Sequence, residues 1–249
     1  MNRIKISPLA LSGVCKSDSK ANFSKTLRKD FGAKNRHRNQ DSSVFVPMHY
    51  EKNYRYPLVV WLHSDRKTSD EIHQVMPKVS MRNCVAVAPN CTTGDCWQQD
   101  VDSIEAAHTS VINSVDLAIT RFNINPGRIF LGGFGVGGTM ALRVAMERPE
   151  LFAGVMSING PMPESQAPLA CWEDCRNLPV FLTQARKSDS FDQITLCRQL
   201  RLLHVAGFAL TLRQYPGVES LNNKLLQDLN RWIMEVVTAP VVDTPNSAK

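Results

Sequence analysis

No run among the 249 residues approaches the roughly 18 uninterrupted apolar residues that a membrane-spanning helix requires, so the sequence excludes such a helix and the expectation is a soluble chain. The sequence also lacks the dense, even cysteine spacing of a secreted scaffold. Its seven cysteines are odd in number, and the expectation is reduced thiols in an intracellular, cytoplasmic protein. Internal repeats, low-complexity blocks and obvious linkers are missing as well. With 13 Gly, 14 Pro, 43% hydrophobic and 21% charged residues, collagen, coiled coil and wholesale disorder are excluded, and one sizeable core can form.

Acid is scarce at one end of the chain. Residues 1–56 carry 12 Lys and Arg against 4 acids, a net of +8, while the remainder carries 17 against 19, a net of −2. The cluster from Lys16 through Arg38 has no helical apolar stripe, so residues 1–41 are expected to be a solvated, mobile basic arm. Contact with a polyanion such as nucleic acid through that arm is the alternative. The stretch Asn2-Arg3-Ile4-Lys5 to Cys15 resembles a lipoprotein export signal, but Val14 stands where a small residue is required and Pro8 interrupts the apolar part.

Beyond the arm, apolar β-rich runs alternate with helix-period segments. Ser43–Tyr50, Leu58–His63, Cys84–Asn90, Arg128–Gly133, Gly154–Gly160, Pro179–Ala185 and Ala209–Tyr215 read as strands. Ile104–Phe122, Gly137–Arg148, Phe191–Ala206 and Leu221–Val237 are the clearest helices between them. Continuously apolar strands separated by helices imply an α/β fold, a mostly parallel central sheet with helices on both faces. The expected domain spans residues 42–237, with 238–249 a flexible tail.

The most informative segment is the glycine-dense turn after Leu131. Gly133, Gly135 and Gly138 fit the dinucleotide pattern G-x-G-x-x-G, but the next strand ends in Asn159 and Gly160, where a ribose-binding acid would be required. The same residues, Gly133-Phe134-Gly135-Val136-Gly137, fit the strand-turn-helix elbow G-x-S-x-G with glycine at the position of the nucleophile.

Taken with Tyr56-Pro-Leu-Val-Val-Trp-Leu-His63, Val85-Ala-Val-Ala-Pro89, Leu178-Pro-Val-Phe-Leu182 and Tyr215-Pro-Gly217 followed by Arg231-Trp232-Ile233, this elbow makes the chain, from about Phe45 to Glu235, resemble the phospholipase/carboxylesterase group of α/β-hydrolases. The resemblance implies an α/β-hydrolase fold and ester or thioester chemistry by a Ser nucleophile, an Asp and a His. It matches the nucleophile to Gly135, the acid to Ser188, with Asp189 one residue away, and the base to Glu219. No histidine follows His204, so no shift in alignment restores a base. The oxyanion loop reads His63-Ser64-Asp65-Arg66-Lys67, with Ser64, Asp65 and Val136 as the remaining candidate backbone donors.

These substitutions point to a non-catalytic pseudo-hydrolase that binds a small molecule or a protein partner and needs no cofactor. The alternative is an active hydrolase in which Glu219 or Asp189 activates water directly. Cys91 with Cys96, and Cys171 with Cys175, are spaced too widely for a typical zinc pair and read as loop thiols, so no metal is expected. Cys84 and Cys197 read as core, His63 as a hydrogen-bonded structural residue and His108 as exposed. Trp97 lies in a loop that the resemblance places near the substrate, where it either lines a pocket or packs.

Overall fold

A computed structural model describes residues 3–6, 42–91, 97–163, 172–187 and 193–239. Its strands are β1 (Arg3–Ile6), β2 (Ser43–Phe45), β3 (Tyr56–Leu62), β4 (Val85–Ala88), β5 (Ile124–Phe134), β6 (Gly154–Ile158), β7 (Pro179–Lys187) and β8 (Ala209–Val218). Its helices are α1 (Ile72–Val79), α2 (Val101–Arg121), α3 (Val136–Glu147), α4 (Trp172–Cys175), α5 (Gln193–Val205) and α6 (Asn223–Thr238). The strands form one sheet in the order β1-β8-β7-β6-β5-β3-β4-β2. All pairings are parallel except at the two edges, where β1 on β8 and β2 on β4 run antiparallel.

The period-2 geometry of a strand sends alternate side chains to opposite faces. On β3, which is buried throughout, Leu58, Val60 and Leu62 enter one core, while Val59 and Trp61 enter the other. The first core is roofed by α2, α3 and α5 through Ile104, Val111, Met140 and Leu203. The second is closed by α1 and α6 through Ile72, Met76, Leu225, Leu229 and Trp232. A sheet covered on both faces is the arrangement that uninterrupted apolar strands require.

Several boundaries differ from the sequence reading. The expected strand Ser43–Tyr50 stops at Phe45, and β7 and β8 run on to Lys187 and Val218. Helix α1 is additional to the expected helices: Pro77 inside it weakens its helical signal, yet Ile72, Val75, Met76 and Val79, at helical spacing, are buried against the sheet. Within the segment expected to be a mobile arm, Arg3–Ile6 is a strand paired with β8, and residues 7–41 lie outside the described residues. The proposed tail begins one residue inside the observed end of α6 and otherwise lies outside them, apart from Ala239. Among the described residues no helix is long and apolar enough to cross a membrane.

Candidate active-site elbow

The carboxyl ends of the central strands meet at one edge of the sheet, where Leu62 pairs with Gly133 and Phe134 with Ile158. The chain leaves β5 at Phe134, turns at Gly135 and enters α3 at Val136. Gly135 has φ 57° and ψ −123°, a region open to glycine and costly for other residues. The turn is held from both sides. Gly135 N–H donates to Ile158 O at 2.8 Å, Thr139 N–H donates to Gly135 O at 3.0 Å, and Thr139 Oγ1 donates to Pro161 O at 2.8 Å.

The glycines around the turn serve two different needs. A Cβ on Gly133 would lie 2.5 Å from the Gly137 carbonyl carbon and 2.6 Å from Leu62 O, and one on Gly137 would lie 2.5 Å from His63 O. These flanking positions are glycine because strand and helix backbones touch there. A Cβ on Gly135 would meet nothing within 4 Å. Its surroundings are open, and only its backbone angle disfavours a side chain.

The neighbouring loop after β3 is bound to a residue that the sequence did not single out. The buried Glu71 carboxylate accepts from Trp61 Nε1 at 3.0 Å, Ser64 N–H at 2.9 Å and Ser64 Oγ at 2.6 Å. The Ser64 N–H is therefore already committed, which corrects its expected place among the oxyanion donors. Asp65 and Arg66 form the tip of a turn closed by Lys67 N–H to Ser64 O at 3.2 Å, and Arg66 takes φ 55° there. Asp65 turns its side chain to solvent beside Arg66, at 3.6 Å. Val136 lies at the first position of α3, where a backbone N–H has no partner within the helix.

His63 is buried, and its ring nitrogens are engaged. Its Nε2 accepts Cys91 N–H at 3.2 Å, which puts the ring proton on Nδ1, 3.1 Å from Ser64 O. Trp97 is also buried, packs on the His63 ring at a centroid distance of 5.1 Å and donates Nε1–H to His63 O at 2.9 Å. Of its two readings, packing is the one its contacts support. Asn159, at the end of β6, takes φ 53° and ties β6 to β7: its N–H donates to Thr183 O at 3.0 Å and its Oδ1 accepts Ala185 N–H at 2.8 Å.

The elbow, Val136, His63 and Ser64 are thus assembled at one place. Glu219 follows β8 at the same sheet edge and is half-buried, but Val218 pairs with Lys187, four residues beyond the Thr183 that pairs with Ile158. At ~3.3 Å per residue, Val218 lies about 13 Å further along the strands than Phe134. Ser188 and Asp189 lie outside the described residues, as do Cys96 and Cys171.

Two further expectations are corrected. Cys197 is exposed on α5, not in the core, whereas Cys84 is buried, and burial pushes its thiol up to about 12. His108 is half-buried and lines a cavity of about 450 Å³ with Val101, Ile104, Glu105, Thr109 and Glu147. Burial and the nearby Arg148 lower its pKa against the opposing pull of Glu150.

A parallel sheet covered on both faces, with a glycine-flanked elbow at its carboxyl edge, defines a protein of the α/β-hydrolase class. The sequence profile of the phospholipase/carboxylesterase family matches residues 91–236, and the chain belongs to that family. The Arabidopsis thaliana protein named "Probable carboxylesterase SOBER1-like" is 26% identical over 144 residues, 55% of this chain and 53% of the relative. The chain spans about half or less of the length of the curated relatives it matches. Among solved structures, Arabidopsis thaliana SOBER1 superposes with a TM-score of 0.62 at 19% identity, over 73% of this chain and 99% of that one. The Bacillus cereus carboxylesterase gives 0.64 at 12%, over 78% and 93%. Zea mays acyl-protein thioesterase 2 gives 0.61 at 15%, over 79% and 98%. At such identities the structural likeness carries the fold.

Proposed function

We propose that this chain is a non-catalytic member of the phospholipase/carboxylesterase family, a pseudo-hydrolase that has kept the scaffold for binding a small molecule or a protein partner. One observation carries the reading: the elbow apex is Gly135, which has no atom able to attack an acyl carbon. Two others support it. The base position holds Glu219, with no histidine beyond His204, and the Ser64 N–H is bound to Glu71 and unavailable to an oxyanion.

The test is a fluorophosphonate probe combined with turnover of short-chain p-nitrophenyl esters by the purified chain. The expected result is neither labelling nor turnover. Turnover without labelling would replace this reading with a carboxylate-activated water at Glu219 or Asp189, and labelling with turnover would establish a serine enzyme. Gly135→Ser combined with Ser188→Asp and Glu219→His is expected to stay without esterase activity: the open space at Gly135 accepts a hydroxymethyl group, but the Ser64 N–H stays bound to Glu71, and turnover by this variant would overturn that account of the loop.

A further inference from the structure

Helix α5 presents apolar side chains in two opposite directions. Leu196 and Leu203 are buried in the first core, as an amphipathic helix requires. On the far side Ile194, Leu202 and Val205 are 72%, 56% and 80% exposed. With Arg198 and Arg201, also exposed, they stand at i, i+4, i+7, i+8 and i+11. At 3.6 residues per turn these five share an arc of about 100°. Gln193–Val205 contains no acid to neutralise the arginines.

We propose that this outward face of α5 docks on an anionic lipid surface, its aliphatic side chains entering the headgroup boundary while Arg198 and Arg201 pair with lipid phosphates and carboxylates. Interleaved aliphatic and cationic residues on one exposed helix face suit a fluid anionic interface. A protein partner would favour aromatic anchors seated in pockets, and this face has no aromatic residue. Helix α5 leads into β8, and β8 pairs with β1, so the basic N-terminal region joins the sheet beside the same element. Arg3 and Lys5 of β1 are both cationic, and β1 contains no acid. A long arginine stem also lies along apolar surface while its head stays polar, which fits the mixed arc.

The test is flotation of the full chain with vesicles of phosphatidylcholine alone or with phosphatidylserine added. Recovery with the anionic vesicles only, suppressed at high salt, is expected. Leu202→Asp with Val205→Asp should lower partitioning roughly tenfold or more, and Arg198→Gln with Arg201→Gln should weaken it in the anionic vesicles. Val205→Trp, which adds interfacial area without charge, should strengthen it and serves if the aspartate variant unfolds. Absence of flotation would overturn the assignment. So would undiminished flotation of a folded Leu202→Asp, Val205→Asp protein, which would place binding on the basic arm alone. Retention on heparin without vesicle binding would overturn it in favour of a soluble polyanion. Flotation reads partitioning, not turnover, and vesicles of ether-linked phosphatidylcholine and phosphatidylserine, which hold no acyl ester, keep its outcome independent of whether the chain hydrolyses one.

Discussion

Gly135, Glu71 and Cys84 show how single residues divide between space, hydrogen bonding and solvation. At Gly135 the open surroundings leave only the backbone angle to oppose a side chain, so Gly135→Ser should cost about 1–3 kcal/mol. Gly133→Ala, which drives a methyl into the Gly137 and Leu62 backbones, should cost more, and urea unfolding of the two variants orders them. Glu71→Ala would strand three donors around a buried site, and a loss of about 2–4 kcal/mol is expected by the same measurement. Burial raises the pKa of the Cys84 thiol in the folded chain from its ordinary 9.0 to about 12. As pH rises above 9 the unfolded chain loses a proton that the folded chain keeps. The stability contributed by Cys84 is therefore complete below pH 9 and is lost progressively towards 12. Cys84→Ala should flatten that alkaline decline, and iodoacetamide should label Cys197 well before Cys84 in the native chain.

At the scale of elements, a buried polar tie docks α6 on β8. Asp228 on α6 accepts from Arg213 NH1 at 2.8 Å and from Tyr215 OH at 2.9 Å, with Arg231 at 3.4 Å. Arg213 and Asp228 are both buried, and the Arg213 guanidinium lies 5.5 Å from the centre of the Phe181 ring. Burial and the bond to Asp228 raise the pKa of Tyr215, against the opposing pull of Arg213. Asp228→Ala would leave a buried guanidinium without its partner, and a loss of about 3–5 kcal/mol is expected from thermal or urea unfolding. This tie also gives the buried Arg213 and Tyr215 of β8 their polar partner. Helix α5 is seated by apolar packing of Leu196 and Leu203 in the first core. That packing leaves its opposite face available to a second surface.

For the whole molecule, a sheet with short antiparallel edges and long central strands predicts uneven stability. Amide exchange should be slowest in β3, β5 and β6, which are flanked by strands on both sides and roofed by helices, and fastest among the sheet strands in β1 and β2. Equal protection of β2 and β3 would contradict the observed strand order. The α/β organisation was readable from the chain because buried parallel strands write themselves as apolar runs, and helices α2, α3, α5 and α6 as periodic segments. The elbow was readable because strand and helix backbones that touch leave glycine as the only residue that fits, at Gly133 and Gly137. Helix α1 was hidden by Pro77, and the exposure of Cys197 by a helix apolar on both sides.

Local composition and spacing by themselves determined the fold class, the position of the sharp turn and the absence of a hydroxyl at its apex, since each depends on residues adjacent along the chain. Only the tertiary structure decided that Glu71 takes the Ser64 N–H, that His63 is locked by Cys91 and Trp97, and that Gly135 faces open space. Those facts depend on which atoms distant segments bring within hydrogen-bonding or van der Waals distance, and a one-dimensional pattern carries no record of that.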